Sequence, residues 1–218
     1  MHTFSSRMRP VHGWPKHACV IHLAHFMKCA TTDYHPTIWR TCRVLANLNR
    51  LACLKFIFEN PAASVSETAQ GLHVPVNQAS IFLRALQSRG LIQAGRQGRS
   101  VQYFARPDPL VPSAAPILQA VREELIQCKR PGEDIKRIMT AFTHPRRIII
   151  LARLQQYGGD TEETLAAGTE ISLRALKRHL KKLQSRSLVV LDADIWKVTL
   201  SATGLAQVLL ALCRPEPK

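Results

Sequence analysis

The chain has 218 residues, of which 46% are hydrophobic, so it can form one large domain or two smaller ones with ordinary cores. A net charge of +15 predicts a polyanionic partner, nucleic acid before an anionic membrane, although a generally solubilising positive surface is the alternative. No apolar run approaches the ~20 residues of a membrane span, and histidines interrupt the apolar patch near the start, unlike a signal peptide. We therefore expect a cytoplasmic protein with no membrane partner.

Residues 1–35 are expected to form a basic, flexible N-terminal extension. Within it, Cys19, His22, His25 and Cys29 are spaced in a way that resembles zinc ligands. A straight helix would separate Cys19 from Cys29 by about 15 Å, too far for one zinc ion, although a bent segment could bring them together. These four residues are weak candidates only, and the sequence predicts neither a metal nor a cofactor.

From residue 36 to residue 130, apolar spacing predicts four helices, a hairpin and a fifth helix. The helices are expected at about 37–46, 49–58, 67–71, 75–89 and 114–128. Ser66 should cap the third helix, with Glu67 near its positive end, and His73 should lie in the turn before the fourth. The stretch LIQAGRQGRSVQYFA alternates like two strands around a turn at residues 95–98.

The same order of elements is predicted from residue 131 to residue 213, before a tail at 214–218. Helices are expected at about 133–142, 145–157, 161–167 and 172–186, and a last helix ends at Leu212. Ser172 should cap the fourth of these. The stretch LVVLDADIWKVTL predicts a second, shorter hairpin, with Asp192 and Asp194 at its tip.

The two halves are interpreted as copies of one unit. Leu-Gln-Ser-Arg-x-Leu occurs at residues 86–91 and 183–188, and a shift of 97 residues, which places Arg50 on Arg147, preserves the apolar spacing without a gap from position 45 to 92. Helix, helix, short helix, turn, long helix, hairpin, helix is the plan of a winged helix-turn-helix. We therefore expect a mainly α fold with small β-hairpin wings, arranged as two tandem winged helix-turn-helix domains.

Several stretches resemble ArsR-type bacterial transcriptional regulators. LANLNRLACLKFI and FTHPRRIIILARL are similar to the family's Leu-Ala-Asp-Pro-x-Arg segment, and GRQGRSVQYFA is similar to its wing. AQGLHVPVNQASIFLRALQSRGLI resembles the family's turn and recognition helix, and ISLRALKRHLKKLQSRSLV keeps its Arg-His-Leu-Lys at residues 178–181. The resemblance covers roughly residues 37–213 and is moderately specific for this family over related regulators.

The resemblance implies transcriptional regulation through duplex DNA, with the fourth helix of each unit in a major groove and the hairpin at the flanking backbone. Family members dimerise through their first and last helices, so a tandem chain implies either an intrachain pseudo-dimer or a homodimer. The stretch SVSETAQGL lacks the Cys-x-Cys pair of the metal-sensing members, which argues against metal sensing there.

Candidate DNA contacts lie on both fourth helices and on the first hairpin. Asn and Gln suit adenine edges in the first unit, whereas the second unit concentrates cations on one helical face, as phosphate neutralisation requires. The set comprises Asn77, Gln78, Ser80, Arg84, Arg96, Arg99, Arg174, Lys177, Arg178 and Lys181. Alternatively, the cationic face of the fourth helix in the second unit is simply solvated and is balanced by acids on neighbouring elements. The candidate acids are Asp160, Glu162, Glu163 and Glu170.

Two other functional interpretations stay open. Ile81 and Phe82 stand where the family usually has polar residues or histidine, which suits a winged-helix module that docks a protein and binds DNA weakly or not at all. RNA binding or an unrecognised enzyme is the third interpretation. Low aromatic content (6%) argues against single-strand recognition, and the sequence has no Gly-rich phosphate loop, G-x-S-x-G or H-E-x-x-H motif. We therefore expect a protein that is not an enzyme.

Overall fold

The computed structural model describes residues 38–98, 100–199 and 203–214, which are mainly helical with two small antiparallel sheets. The first half comprises α1 (Ile38–Leu45), α2 (Leu48–Glu59), β1 (Ala63–Ser64), α3 (Val65–Leu72), α4 (Val76–Gln87), β2 (Gln93–Gln97), β3 (Ser100–Phe104) and α5 (Ala114–Arg122), which a π-helical turn (Glu123–Gln127) extends. The second half comprises α6 (Gly132–Ala141), α7 (Pro145–Tyr157), α8 (Glu162–Thr169), α9 (Leu173–Gln184), β4 (Val189–Asp192), β5 (Ile195–Val198) and α10 (Gly204–Leu212). The prediction of a mainly α fold with small hairpins is confirmed.

The starts of α3 and α8 show how closely the halves repeat. The Ser64 hydroxyl accepts from the backbone N–H of Glu67 at 3.2 Å, and the Glu67 carboxylate accepts from the Ser64 N–H at 2.7 Å. Thr161 forms the equivalent capping box with Thr164. The prediction that Ser66 caps this helix is wrong, because Ser64 has the extended backbone that a cap requires while Ser66 lies inside the helix.

The helices α4 and α9 also begin at equivalent positions. Pro75 and Ser172 occupy the N-cap positions, as predicted for Ser172, although the Ser172 side chain makes no cap hydrogen bond. Both helices end slightly earlier than predicted, and left-handed backbone follows at Gly90 (φ 68°) and Ser187 (φ 58°). The alternation of buried and exposed faces is therefore set at the same register in each half.

The hairpins differ more than the helices. In the first, β3 is central, with β2 on one side and β1 on the other. Gly95 pairs with Gln102 inside this ladder, so the predicted turn at residues 95–98 is wrong, and β2 instead continues to Gln97. In the second half, the two-residue strand β1 is replaced by a single bridge between Asp160 and Trp196.

One arginine in each half supports the junction between its first two helices. Arg50 donates from Nη2 to the Arg43 carbonyl at 3.2 Å and from Nε to the Val44 carbonyl. Arg147 makes the same two contacts, with the carbonyls of Thr140 and Ala141. These carbonyls lie near a helix C-terminus, where no intrahelical donor satisfies them.

The two halves pack like on like. Their first helices, α1 and α6, contact each other, as do their last helices, α5 and α10, and the buried apolar residues of both halves form one hydrophobic cluster. Polar contacts cross the same junction: the buried Glu124 accepts from the backbone N–H of Leu205 at 3.4 Å and pairs with Arg130. The first helix of each half therefore contacts the first helix of the other, and the last contacts the last.

In the ranges that the structure describes, no helix combines the length and apolarity needed to cross a membrane.

Candidate nucleic-acid interface

Both α4 and α9 are held on the protein by three buried residues at equivalent positions. These are Ala79, Leu83 and Leu86 in α4, and Leu176, Leu180 and Leu183 in α9. Each helix follows a short helix that ends in a left-handed residue, His73 (φ 53°) or Glu170 (φ 55°). This arrangement leaves one long face of each helix at the protein surface.

The outer face of α4 mixes polar and apolar groups. Asn77, Gln78 and Arg84 are exposed, whereas Ser80 is half-buried. The Asn77 side chain accepts from the Gln78 N–H at 2.8 Å, and Arg84 Nε donates to the Ser80 carbonyl at 3.3 Å. Ile81 is 54% exposed, so the apolar residue noted in the sequence lies on the same outer face as the amides.

The outer face of α9 is strongly cationic. Arg174, Lys177, Arg178 and Lys181 are all exposed, and the first and third of them border a shallow depression of about 390 Å³. Lys177 forms an ion pair with Glu162 at 3.2 Å. Among the described residues, no carboxylate pairs with the other three.

Neighbouring acids therefore balance α9 only in part. Asp160 forms an ion pair with Arg153 of α7 at 2.8 Å, so its charge is balanced by that helix and not by α9. Glu163 and Glu170 form no ion pair with any residue that the structure describes. Of the four candidate cations on α9, only Lys177 is therefore neutralised by a neighbouring acid among the described residues.

The chain matches no known family model and no curated protein.

The two hairpins differ in charge. Arg96 is exposed on β2 opposite Val101, while Arg99 lies outside the described residues. In the other hairpin, Lys197 contacts Asp192 at 2.8 Å, and this hydrogen bond and positive charge lower the pKa of the Asp192 carboxyl. The second hairpin therefore carries partly neutralised acids, whereas the first carries an exposed arginine.

A group of basic residues near α9 contains only one of the sequence candidates, Arg178. The imidazoles of His144 and His179 lie 4.6 Å apart, centroid to centroid, at the N-terminus of α7 and on α9. With Arg43, Arg146 and Arg178 they form what we call the arginine–histidine cluster. Burial, followed by neighbouring positive charges, lowers the pKa of both imidazoles, that of His179 to about 4.

The sequence does contain a signal for this cluster. Under the shift of 97 residues, His144 replaces Asn47, Arg146 replaces Asn49, Arg178 replaces Ile81 and His179 replaces Phe82. Four neutral residues of the first half thus correspond to four basic ones in the second.

The candidate metal ligands Cys19, His22, His25 and Cys29 lie outside the described residues. Within residues 38–98, 100–199 and 203–214, no group of three or more metal-ligating side chains could hold an ion. Cys42, Cys53 and Cys213 are buried free thiols, and burial raises their pKa.

Proposed function

We propose that the chain is a cytoplasmic transcriptional regulator, similar to the ArsR type, that binds duplex DNA through two winged helix-turn-helix units. In this proposal, α4 and α9 are the recognition helices and the two hairpins are the wings. The function requires no cofactor and no catalytic step. Residues 36–130 and 131–213 form the two units, joined through their first and last helices.

The observation that carries the proposal is the outer face of α9. Arg174, Arg178 and Lys181 project from a helix whose opposite face is buried, and no described carboxylate pairs with them. A row of free cations on a protruding helix neutralises phosphates and releases their counterions, which gives affinity that falls steeply with salt. Because Lys177 is already paired with Glu162, its contribution to binding is smaller than that of Arg178.

The two units have different tasks in this scheme. The first offers amides on α4, which can read adenine edges, and the exposed Arg96 on its wing. The second supplies backbone affinity through α9. Neither unit alone combines base-reading groups with a cationic recognition helix, so we propose that both contact one DNA site.

A mobility-shift titration with genomic fragments at several salt concentrations tests this function. Lys177→Ala/Arg178→Ala and Arg96→Ala/Arg99→Ala should each weaken binding, and each lost phosphate contact should reduce the salt slope by about 1. Lys55→Ala/Lys136→Ala, which removes two partly exposed lysines of α2 and α6, is the charge-matched control. The surface assignment is wrong if both double variants bind DNA as the control does.

The exposed Ile81 and Val76 on α4 favour a second candidate, a winged-helix module that docks a protein. Exposed apolar side chains on a surface helix are typical of such interfaces. Capture of one protein partner that Ile81→Asn abolishes, with no salt-dependent DNA shift in the parent protein, would favour this function over DNA binding.

A further inference from the structure

The arginine–histidine cluster contains buried polar atoms without partners. His179 is only 5% exposed, and its Nε2 has no hydrogen-bond partner among the described residues. Nearby, Arg186 has a buried Nε in the same condition. Because buried polar groups are nearly always hydrogen-bonded, an unpartnered one close to the surface marks a place where a bound water or ion can supply the hydrogen bond.

Every charged group that acts on the two imidazoles is positive. Arg43 comes from α1, Arg146 and Arg147 from α7, and Arg178 from α9. No described carboxylate forms an ion pair with any of these arginines. The N-terminus of the 13-residue helix α7 adds its partial positive charge at the same place.

The first half shows that the fold does not require this charge. Its equivalent place holds Asn47, Asn49, Ile81 and Phe82, and Thr140 stands where Arg43 stands. Asn47 caps α2 by accepting from the Arg50 N–H at 3.1 Å, as His144 caps α7 by accepting from the Arg146 N–H at 3.1 Å. The same backbone therefore forms with neutral residues.

The two imidazoles can donate to an anion. Nδ1 of His144 accepts the Arg146 N–H, so its neutral ring carries the proton on Nε2. Arg146 and Arg178 are exposed, and a guanidinium group is suited to binding the oxygens of a tetrahedral ion. The cluster thus combines the positive charge, the donors and the helix terminus that oxyanions prefer.

We propose that the arginine–histidine cluster binds an oxyanion of the phosphate and sulfate class. The ion lies at the N-terminus of α7 beside α9, where the positive charge of Arg43 from the first half also acts on His144. Its source is either a DNA phosphodiester, in which case the site extends the interface proposed above, or a free anion that sets the position of α9. The chemistry recognised is the same.

Titration of the full chain with sodium sulfate at pH 7, with ionic strength held constant by sodium chloride, tests the site without DNA. The imidazole Cε1–H resonances of His144 and His179, assigned from His144→Asn and His179→Phe, should shift saturably. Arg178→Gln and His179→Phe should each weaken sulfate binding about tenfold, the effect of losing one charge-assisted hydrogen bond. Lys55→Gln, which removes one charge from α2, should bind sulfate like the parent.

The proposal is overturned if sulfate gives no saturable shift beyond that of chloride, or if Arg178→Gln and His179→Phe bind sulfate as tightly as Lys55→Gln does. His179→Phe installs the residue that the first half carries at this position, which guards against a loss caused by misfolding. Addition of a duplex then separates the sources. Displacement of sulfate identifies a DNA phosphate, whereas simultaneous binding identifies a free anion, and a failure to bind DNA leaves the sulfate result standing.

Discussion

His179 should make the fold sensitive to acid, and His179→Phe should remove much of that sensitivity. The imidazole is buried on α9 beside His144 and three arginines, and these surroundings lower its pKa to about 4. In the unfolded chain, the same imidazole takes up a proton near its ordinary pKa of about 6.5. Between these two values, the unfolded state binds a proton that the folded state excludes.

The sign and size of the effect follow from this difference. More than about one pH unit above 6.5, both states are neutral at His179 and its contribution is constant. As the pH falls, the free energy of unfolding decreases by at most about 1.4 kcal/mol per pH unit, reaching a loss of about 3 kcal/mol at pH 4. Below pH 4 the folded state is protonated as well, and the loss levels off.

Urea unfolding followed by circular dichroism at pH 7, 6, 5 and 4, without sulfate or phosphate, measures this loss. The difference in free energy of unfolding between parent and His179→Phe should change by about 3 kcal/mol over that range, in favour of the variant at low pH. Because the comparison is between two pH profiles, the effect of Phe on packing cancels. His73→Asn, which removes an exposed histidine, is the control.

Parallel pH profiles for the parent and His179→Phe would refute the reasoning. They would mean that His179 takes up its proton equally in both states. A gain in the stability of the parent relative to His179→Phe as the pH fell would also contradict it, because the folded state would then bind the proton at His179 more tightly than the unfolded state.

Three further predictions concern packing and reactivity. Gly71→Ala should destabilise the protein by about 1–3 kcal/mol, because a Cβ at Gly71 would lie 2.1 Å from the Phe56 ring. Gly168→Ala should cost less, because a Cβ at this equivalent position would meet the flexible end of the Arg153 side chain. Equal losses of the two variants in urea unfolding would contradict this. Arg147→Met should lower the free energy of unfolding by about 2 kcal/mol in the same measurement, because the carbonyls at the end of α6 lose a charged donor. Arg50 is only half-buried, so a greater loss for Arg50→Met would contradict this explanation. A thiol reagent at pH 7.5 should label the exposed Cys128 rapidly but Cys42 and Cys213 only after unfolding, because these two thiols are buried and burial raises their pKa. Peptide mapping of the labelled protein measures this. Labelling of Cys42 at the rate of Cys128 would argue against it.

Local patterns predicted the helices well because their apolar spacing is regular. The cap of α3 was misassigned because Ser64 and Ser66 are both suitable residues. The choice depends on the backbone of Ser64, which pairs with Gln102 across the sheet and is thereby extended. A contact between residues so distant in sequence is not visible in the pattern around either serine.

The candidate interface could be predicted in part for the same reason. Helical spacing correctly identified the exposed cations of α9. The same spacing places His179 with Leu176, Leu180 and Leu183 on the buried face, where the structure has it. The pairing of Lys177 with Glu162 and the approach of Arg43 to His144 depend on how separate elements pack. The first distance is set by the packing of α8 against α9 within the second half, and the second exists only once the two halves are assembled.

The covalent connection between the halves makes their association independent of protein concentration and lets their sequences diverge. Two separate subunits meet at a rate set by their concentration, whereas two tethered ones meet at a fixed effective concentration, so the contact of α1 with α6 persists however scarce the protein is. Tethering also frees each half to mutate without an identical change opposite. Under the proposed function, such a chain can address an operator whose two arms are not palindromic.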